Sequence, residues 1–386
     1  MKLLWVIVLG VLLVVALGIV YILNPRSPTP EGEQSAALYQ PGTLGVSRES
    51  IELIDSSRPT PPNDDFEGGP ARTLRGFVWY PAVQDGGPFP LIVYSHGFMS
   101  SVDEAQYQVD FLVPKGYVVV AVDYPLSHRG APGGPTIDDV INQPGDVSFL
   151  IDTLLARNAD ETDRLYQLID PERLVAAGLS LGGLTSTLAA YHRDVRDPRL
   201  SAAVSIAGPA AFLEREFFRT SDVPFMMIAG SADAIVPYEA NAVPVPVRVD
   251  NGLLVTLASG SHVGFARVSS VYLRWAWHPD MLVCPLLLMA LDRDAQEAPP
   301  GLAPDPELGI SSAGAPPCRW EHFELAMRPA DQQMLTRLAL YAFLENVLAQ
   351  DAERRQQMNR YLATELAAEN PGVTVSGRWP SPPPGS

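Results

Sequence analysis

The pattern of apolar and polar positions predicts an ordered core over the middle of the chain. Between about residues 72 and 262, short apolar runs alternate with segments whose apolar residues recur at helical spacing. Nearly continuous apolar runs are typical of strands buried on both faces, and their alternation with helices predicts a mostly parallel, doubly wound α/β sheet. The predicted strands are 74–81, 89–97, 117–125, 173–180, 200–208, 224–233 and 252–262, and the predicted helices are 101–116, 143–158 and 182–194.

This alternation ends after residue 262. A dense apolar segment and a Pro/Gly-rich loop follow, which we interpret as a cap inserted into the core. A long helical pattern that includes Leu335 and Leu338 then predicts a closing helix on the sheet. The predicted organisation is an anchor at 1–24, a linker and leading segment at 25–70, the core at 71–265, the cap insertion at 266–329, the closing helix at 330–370 and a disordered tail at 371–386.

The N-terminal segment is apolar without interruption. Leu3 to Leu23 are 21 residues without a charge, and as a helix they extend about 31 Å, close to the hydrocarbon thickness of a bilayer. The alternative is a cleaved signal peptide with Ala16 and Gly18 at its cleavage site, but signal-peptide cores are only about 7–15 residues long. The sequence therefore predicts an uncleaved transmembrane anchor, with the rest of the chain in the periplasm or another extracytoplasmic space.

Charge and cysteine content narrow the classes of partner. The chain has 27 basic and 44 acidic residues, a net charge of −17, which argues against nucleic acid. Cys284 and Cys318 fit a disulfide in an oxidising compartment, closing a loop worth roughly 3–4 kcal/mol, with two buried free thiols as the alternative. Neither a Cys-x-x-Cys motif nor a His at ligand spacing accompanies them, so we expect no metal site.

Ser180, which is flanked by glycines, is the first candidate catalytic residue. The stretch GLSLG, residues 178–182, lies between a predicted strand and a predicted helix. In that context the pattern is typical of a sharp turn that exposes Ser180 as a nucleophile at a helix N-terminus. A glycine-rich turn without chemistry is the alternative interpretation.

A serine nucleophile needs a base, and the base needs a carboxylate to orient it. Asp233 and His262 follow two later predicted strands, so the chain order is Ser, Asp, His and all three lie at the carboxyl ends of strands. Asp233 can alternatively cap a helix that starts at Ala234.

An oxyanion site completes this chemistry. The backbone N–H groups of Leu181 and Phe98 are the predicted donors, because one follows the serine and the other lies in the loop after strand 89–97. His96 is expected to brace this loop by hydrogen bonding rather than to act in catalysis.

Four motifs together, YSHGF, GLSLGG, GSADAIVP and GSHVGF, resemble the α/β-hydrolase superfamily over about residues 72–265 and the closing helix. The chain looks most similar to dienelactone-hydrolase-like and platelet-activating-factor-acetylhydrolase-like esterases, relatives of bacterial polyester hydrolases. The resemblance implies a serine carboxylic-ester hydrolase with Ser180, Asp233 and His262 as the triad and no cofactor. Dienelactone hydrolases themselves use a cysteine nucleophile, and neither the anchor nor the cap belongs to the common core.

The predicted function is therefore an anchored esterase or lipase-like enzyme that works through an acyl-enzyme intermediate. Trp275, Trp277 and Met281 in the cap suggest an apolar ester. The alternatives are a small-substrate amidase or peptidase, and a catalytically inactive hydrolase fold that serves as a membrane-tethered binding module. The oligomeric state and the natural ester are not predicted.

Overall fold

The computed structural model describes residues 2–23, 27–83, 86–291 and 302–378 of the chain. Within these residues, nine strands form one mixed sheet in the order β1-β2-β4-β3-β5-β6-β7-β8-β9. The strands from β3 to β8 run parallel, whereas β1, β2 and β9 pair antiparallel with their neighbours. The strands are β1 Val46–Asp55, β2 Arg72–Pro81, β3 Phe89–Ser95, β4 Val118–Asp123, β5 Ile169–Leu179, β6 Leu200–Ile206, β7 Phe225–Gly230, β8 Gly252–Leu257 and β9 Val373–Gly377.

Helices connect most of these strands. They are α1 Lys2–Leu23, α2 Glu33–Tyr39, α3 Gln106–Leu112, α4 Gln143–Ala159, α5 Leu181–Tyr191, α6 Arg215–Phe218, α7 Tyr238–Asn241, α8 Val245–Arg248, α9 Asp280–Ala290, α10 Pro329–Leu348, α11 Ala352–Arg360 and α12 Leu366–Glu369. All seven strands and all three helices predicted for the core occur, with ends that lie up to five residues from the predicted ones, as at the start of α3 and the end of β8.

The sheet is buried on both faces, as its apolar runs predict. Along β5, Ala176 packs into the apolar layer that contains Leu184 of α5, whereas Val175 packs into the opposite layer with Leu338 of α10. Alternate residues of a strand point to opposite faces, so a strand covered on both sides needs apolar residues at every position. The predicted doubly wound α/β architecture is confirmed.

The C-terminal segment differs from its prediction in two places. The closing helix is not continuous, because α10 ends at Leu348 and α11 begins at Ala352. Asp351 precedes α11 and accepts a hydrogen bond from the backbone N–H of Glu353 at 3.0 Å, which is an N-cap contact that starts a new helix.

The prediction that residues 371–386 form a disordered tail is also wrong in part. Val373–Gly377 forms β9 and pairs antiparallel with β8, with Val373 opposite Leu257 and Gly377 opposite Leu253. The open edge of β8 supplies the backbone partners that a Pro- and Gly-rich sequence does not reveal. Residues 379–386 of that tail lie outside the described residues.

The N-terminal segment is helical from Lys2 to Leu23, and its described side chains are those of residues 5–18 and Val20. Across the described residues, no helix is both long and apolar enough to cross a membrane. The side chains of residues 1–4, 19 and 21–26 lie outside the described part, so the transmembrane anchor stays a prediction.

The predicted cap contains α9 and the loops that follow it, of which residues 292–301 lie outside the described part. Cys284 of α9 is joined to Cys318 by a disulfide. The predicted bridge thus links the first, apolar half of the insertion to its second, polar half.

Candidate active site

Ser180 occupies a turn that only small neighbours allow. It lies between β5 and α5 with φ 57° and ψ −120°, a region that residues other than glycine rarely adopt. A Cβ at Gly178 would lie 2.4 Å from the carbonyl carbon of Gly182, and a Cβ at Gly182 would lie 2.0 Å from the carbonyl oxygen of Ser95. The two glycines therefore let the strand, the turn and the helix approach one another and leave the serine at the tip.

Asp233 and His262 form a hydrogen-bonded pair. The Asp233 Oδ2 to His262 Nδ1 distance is 2.7 Å, and both side chains are buried. The other carboxylate oxygen accepts backbone N–H groups of Ile235 at 2.9 Å and Val236 at 2.7 Å. Because a carboxylate only accepts, His262 Nδ1 carries the proton and Nε2 remains the basic nitrogen.

Several charges act on the imidazole of His262. Burial opposes its protonated form, but the carboxylates of Asp233, Asp280 and Glu104 favour it and outweigh burial, so the pKa of His262 is raised. The imidazole is thus surrounded by acidic groups that stabilise an imidazolium ion.

The loop after β3 is fixed from both sides. His96 Nε2 accepts the backbone N–H of Tyr124 at 3.1 Å, so Nδ1 is the donor to the Gly97 carbonyl at 2.7 Å. Burial lowers the pKa of His96 to about 4, which keeps the ring neutral. His96 therefore braces the loop, as the sequence predicts.

The loop also brings Glu104 close to Ser180. Glu104 Oε1 accepts the backbone N–H of Gly97 at 3.0 Å. A Cβ at Gly97 would lie 3.4 Å from both the Ser180 Cβ and the other oxygen of Glu104. Burial raises the pKa of Glu104 to about 7.

The two predicted oxyanion donors lie on the same cavity as Ser180. Phe98 and Leu181 both line it. Leu181 is the first residue of α5, so its N–H has no partner within the helix. Among the described residues, the backbone N–H of Phe98 donates to no group.

This cavity has a volume of about 140 Å³ and a mostly apolar lining. Among the described residues, only Ser180 and Asn241 contribute polar side chains to the lining, and the Asn241 amide is hydrogen-bonded to backbone groups of Ala210, Ala211 and Pro237. The lining residues are Phe98, Ile137, Ser180, Leu181, Pro209, Ala211, Phe212, Ile235, Val236, Pro237, Asn241, Leu287, Leu291, Ala313, Gly314, Ala315 and Pro317. Ser180 is therefore the nucleophilic side chain on the described part of this lining.

The cap contributes to this wall through residues other than those expected. Leu287 and Leu291, at the end of α9, line the cavity together with the segment 313–317. Trp275 and Trp277 are instead 58% and 47% exposed and do not line it. The disulfide partners adjoin both wall segments, since Cys284 lies one turn before Leu287 and Cys318 follows Pro317.

Two buried acids at this site, Glu104 and Asp280, are absent from the sequence prediction. A lone acid after Pro279 in an otherwise apolar stretch is the sequence signal that could have singled out Asp280. In the described part of the chain, no group of three or more His, Cys, Asp or Glu side chains could hold a metal ion.

The geometry has the features of an α/β-hydrolase, and comparison with known families agrees. Residues 72–271, slightly more than half of the chain, match the family model described as PET hydrolase-like, and the chain belongs to this family. The resemblance to α/β-hydrolase esterases is confirmed, and membership indicates a hydrolase of carboxylic esters.

Individual relatives match shorter or more distant stretches. The hydrolase LUC6 of Fusarium sp is 34% identical over 150 residues, 37% of this chain and 32% of the relative. The non-reducing polyketide synthase atr1 of Stereocaulon alpinum is 28% identical over 147 residues, 37% of this chain and 6% of that protein. The chain thus spans a third or less of the curated relatives. A ferulic acid esterase structure from Streptomyces cinnamoneus, at 17% identity and TM-score 0.49, covers 82% of this chain and 97% of its own.

Proposed function

We propose that this protein is a serine carboxylic-ester hydrolase with Ser180, His262 and Asp233 as its triad. The observation that carries the proposal is the Asp233–His262 hydrogen bond at the carboxyl edge of the sheet, where Ser180 occupies a strained turn on an apolar cavity. Strained backbone is retained where function requires it, and a pre-oriented imidazole is what a serine nucleophile needs.

In the proposed reaction, His262 Nε2 removes the proton of Ser180 as Oγ attacks the acyl carbon. The oxyanion that forms accepts hydrogen bonds from the N–H groups of Phe98 and Leu181. The imidazolium then donates its proton to the departing alcohol, which leaves an acyl group on Ser180. A water molecule, activated by the same imidazole, releases the acid. Asp233 keeps the proton on Nδ1 throughout.

The proposed substrate is an uncharged ester with an apolar acyl chain. Among the residues that the structure describes, no charged side chain lines the cavity, so no described group there would offset the desolvation of a charged substrate. Burial of each additional methylene group against Leu287 and Leu291 contributes about 0.8 kcal/mol. Disulfides persist in oxidising compartments, so the Cys284–Cys318 bridge indicates an extracytoplasmic location.

A series of p-nitrophenyl esters from acetate to palmitate tests this function on the full chain. We expect all the short-chain esters to be hydrolysed. Because each added methylene group is buried, kcat/KM should rise by roughly tenfold or more from acetate to octanoate. A fluorophosphonate should label the protein and stop the reaction. An absence of both hydrolysis and labelling would instead favour the inactive binding module.

The disulfide is expected to influence chain-length preference more than the chemistry at Ser180. It ties together two wall segments of the cavity, and Cys318 also donates its backbone N–H to the Ala234 carbonyl. Replacing both cysteines with serine should lower kcat/KM for decanoate on the order of tenfold, about 1.4 kcal/mol, and change the acetate value less than about twofold. Thiol titration should find no free thiol in the native protein. An unchanged decanoate-to-acetate ratio would leave the bridge with a purely structural role.

A further inference from the structure

A buried acid from the cap contacts the chain next to both members of the Asp–His pair. Asp280, the first residue of α9, is 0% exposed. Its Oδ2 accepts the backbone N–H of His262 at 3.0 Å and of Ala234, the residue after Asp233, at 3.1 Å. Its Oδ1 accepts the N–H of Val263 at 2.7 Å. One carboxylate therefore joins the loops that follow β7 and β8.

We propose that Asp280 is a positioning residue for the Asp233–His262 pair, which makes the cap segment part of the catalytic apparatus. The inference rests on the proposed esterase function but goes beyond the triad itself. Asp280 acts in two ways, by holding the two loops in register and by adding a second carboxylate beside the imidazole.

The first action is geometric. The loops after β7 and β8 are held together across the site by the Asp280 carboxylate, and a displacement of about 1 Å in a catalytic group costs on the order of 100-fold in rate. Other cap contacts hold the same turn. His278 Nε2 donates to the Ala232 carbonyl at 3.0 Å, and the Cys318 N–H donates to the Ala234 carbonyl. The turn that carries Asp233 is thus bonded to the cap by three hydrogen bonds, one at Ala232 and two at Ala234.

The second action is electrostatic. The titratable groups that act on His262 are Asp233, Asp280 and Glu104, and those that act on Asp280 are Asp233, His262 and His278. Burial and the nearby Asp233 raise the pKa of Asp280, but its two oxygens face three N–H donors, which favour the carboxylate form. An ionised Asp280 stabilises the imidazolium that forms on His262 during each proton transfer.

The test compares pH–rate profiles of wild type, Asp280→Asn and Asp280→Ser on p-nitrophenyl acetate. The base must be neutral to act, so the acid limb of kcat/KM reports the pKa of His262. Removing a negative charge lowers that pKa, and the limb should move to lower pH by about 0.5–1 unit in both variants. We also expect kcat to fall about 10- to 100-fold with KM changed less than about threefold.

Asp305→Asn is the matched control. Asp305 also lies in the cap and accepts two backbone N–H groups, from Glu307 and Leu308, but it contacts neither catalytic loop. Its variant should keep the wild-type profile. Thermal melts followed by circular dichroism, and titration of active sites with a fluorophosphonate, correct each rate for the folded fraction. The smaller serine provides a second neutral variant if the asparagine variant does not fold.

Each outcome has one meaning. A shifted acid limb in a folded neutral variant supports the proposal. A lower rate with an unshifted acid limb would make Asp280 a purely structural residue and would overturn the proposal. A complete loss of folding in both variants would overturn it as well. If the wild-type protein hydrolyses no ester, the proposed esterase function fails. That failure can be told apart from a failure of the Asp280 proposal, because it is seen without any variant.

Discussion

Replacing Ser180 with alanine is expected to lower ester hydrolysis by about 10⁴-fold or more. The alanine variant lacks the oxygen that forms the acyl-enzyme, and the remaining oxyanion donors supply only the residual rate. Folding should be unaffected, because the Ser180 side chain makes no capping hydrogen bond to α5 and alanine tolerates the turn as well as serine does. The measurement is kcat/KM on p-nitrophenyl acetate, together with a thermal melt.

Ser186→Ala is the matched control for this variant. Ser186 lies on the same helix, is fully buried and donates its hydroxyl to the Gly182 carbonyl at 2.9 Å. Such a side-chain hydrogen bond within a helix contributes little to stability, so activity should stay within about twofold of wild type. A Ser180→Ala protein that keeps a tenth or more of the wild-type activity would rule out Ser180 as the nucleophile.

Replacing Asp233 with asparagine is expected to lower kcat by roughly 10³- to 10⁴-fold, with KM nearly unchanged. The Asn side chain can still accept the N–H groups of Ile235 and Val236 through its oxygen, so the turn should keep its shape. The amide that then faces His262 donates rather than accepts. The imidazole must therefore carry its proton on Nε2, where it cannot serve as a base.

Asp222→Asn makes the same chemical change at an exposed position before β7 and should leave kcat unaltered. Loss of activity in the Asp222 variant combined with a silent Asp233 variant would require a different acid in the triad. A comparable loss in both variants would instead indicate a general effect of removing negative charge.

The sequence predicts the sheet well where its strands are buried on both faces. β3 to β8 each contain a run of buried, mostly apolar residues, and that pattern depends only on local burial. The edge strands β1 and β9 were not predicted. Most of their residues are exposed or only partly buried, and their pairing depends on the neighbouring strand rather than on their own composition.

The sequence by itself also determined which residues are candidates for chemistry. The turn at Ser180 and the loops at Asp233 and His262 follow strands, so their common location at one edge follows from chain order and strand direction. Each of these signals is local, because glycines, a strand end and a polar residue lie within a few positions of one another.

Only the tertiary structure decided how those loops are held and what covers them. Asp280 meets the His262 backbone from 18 residues away and Ala234 from 46 residues away, and Leu287 with Pro317 closes the wall of the cavity. No periodicity encodes such contacts, because they arise when the cap folds back over the carboxyl edge of the sheet. A single acid in an apolar segment becomes stable there only because three backbone N–H groups converge on it.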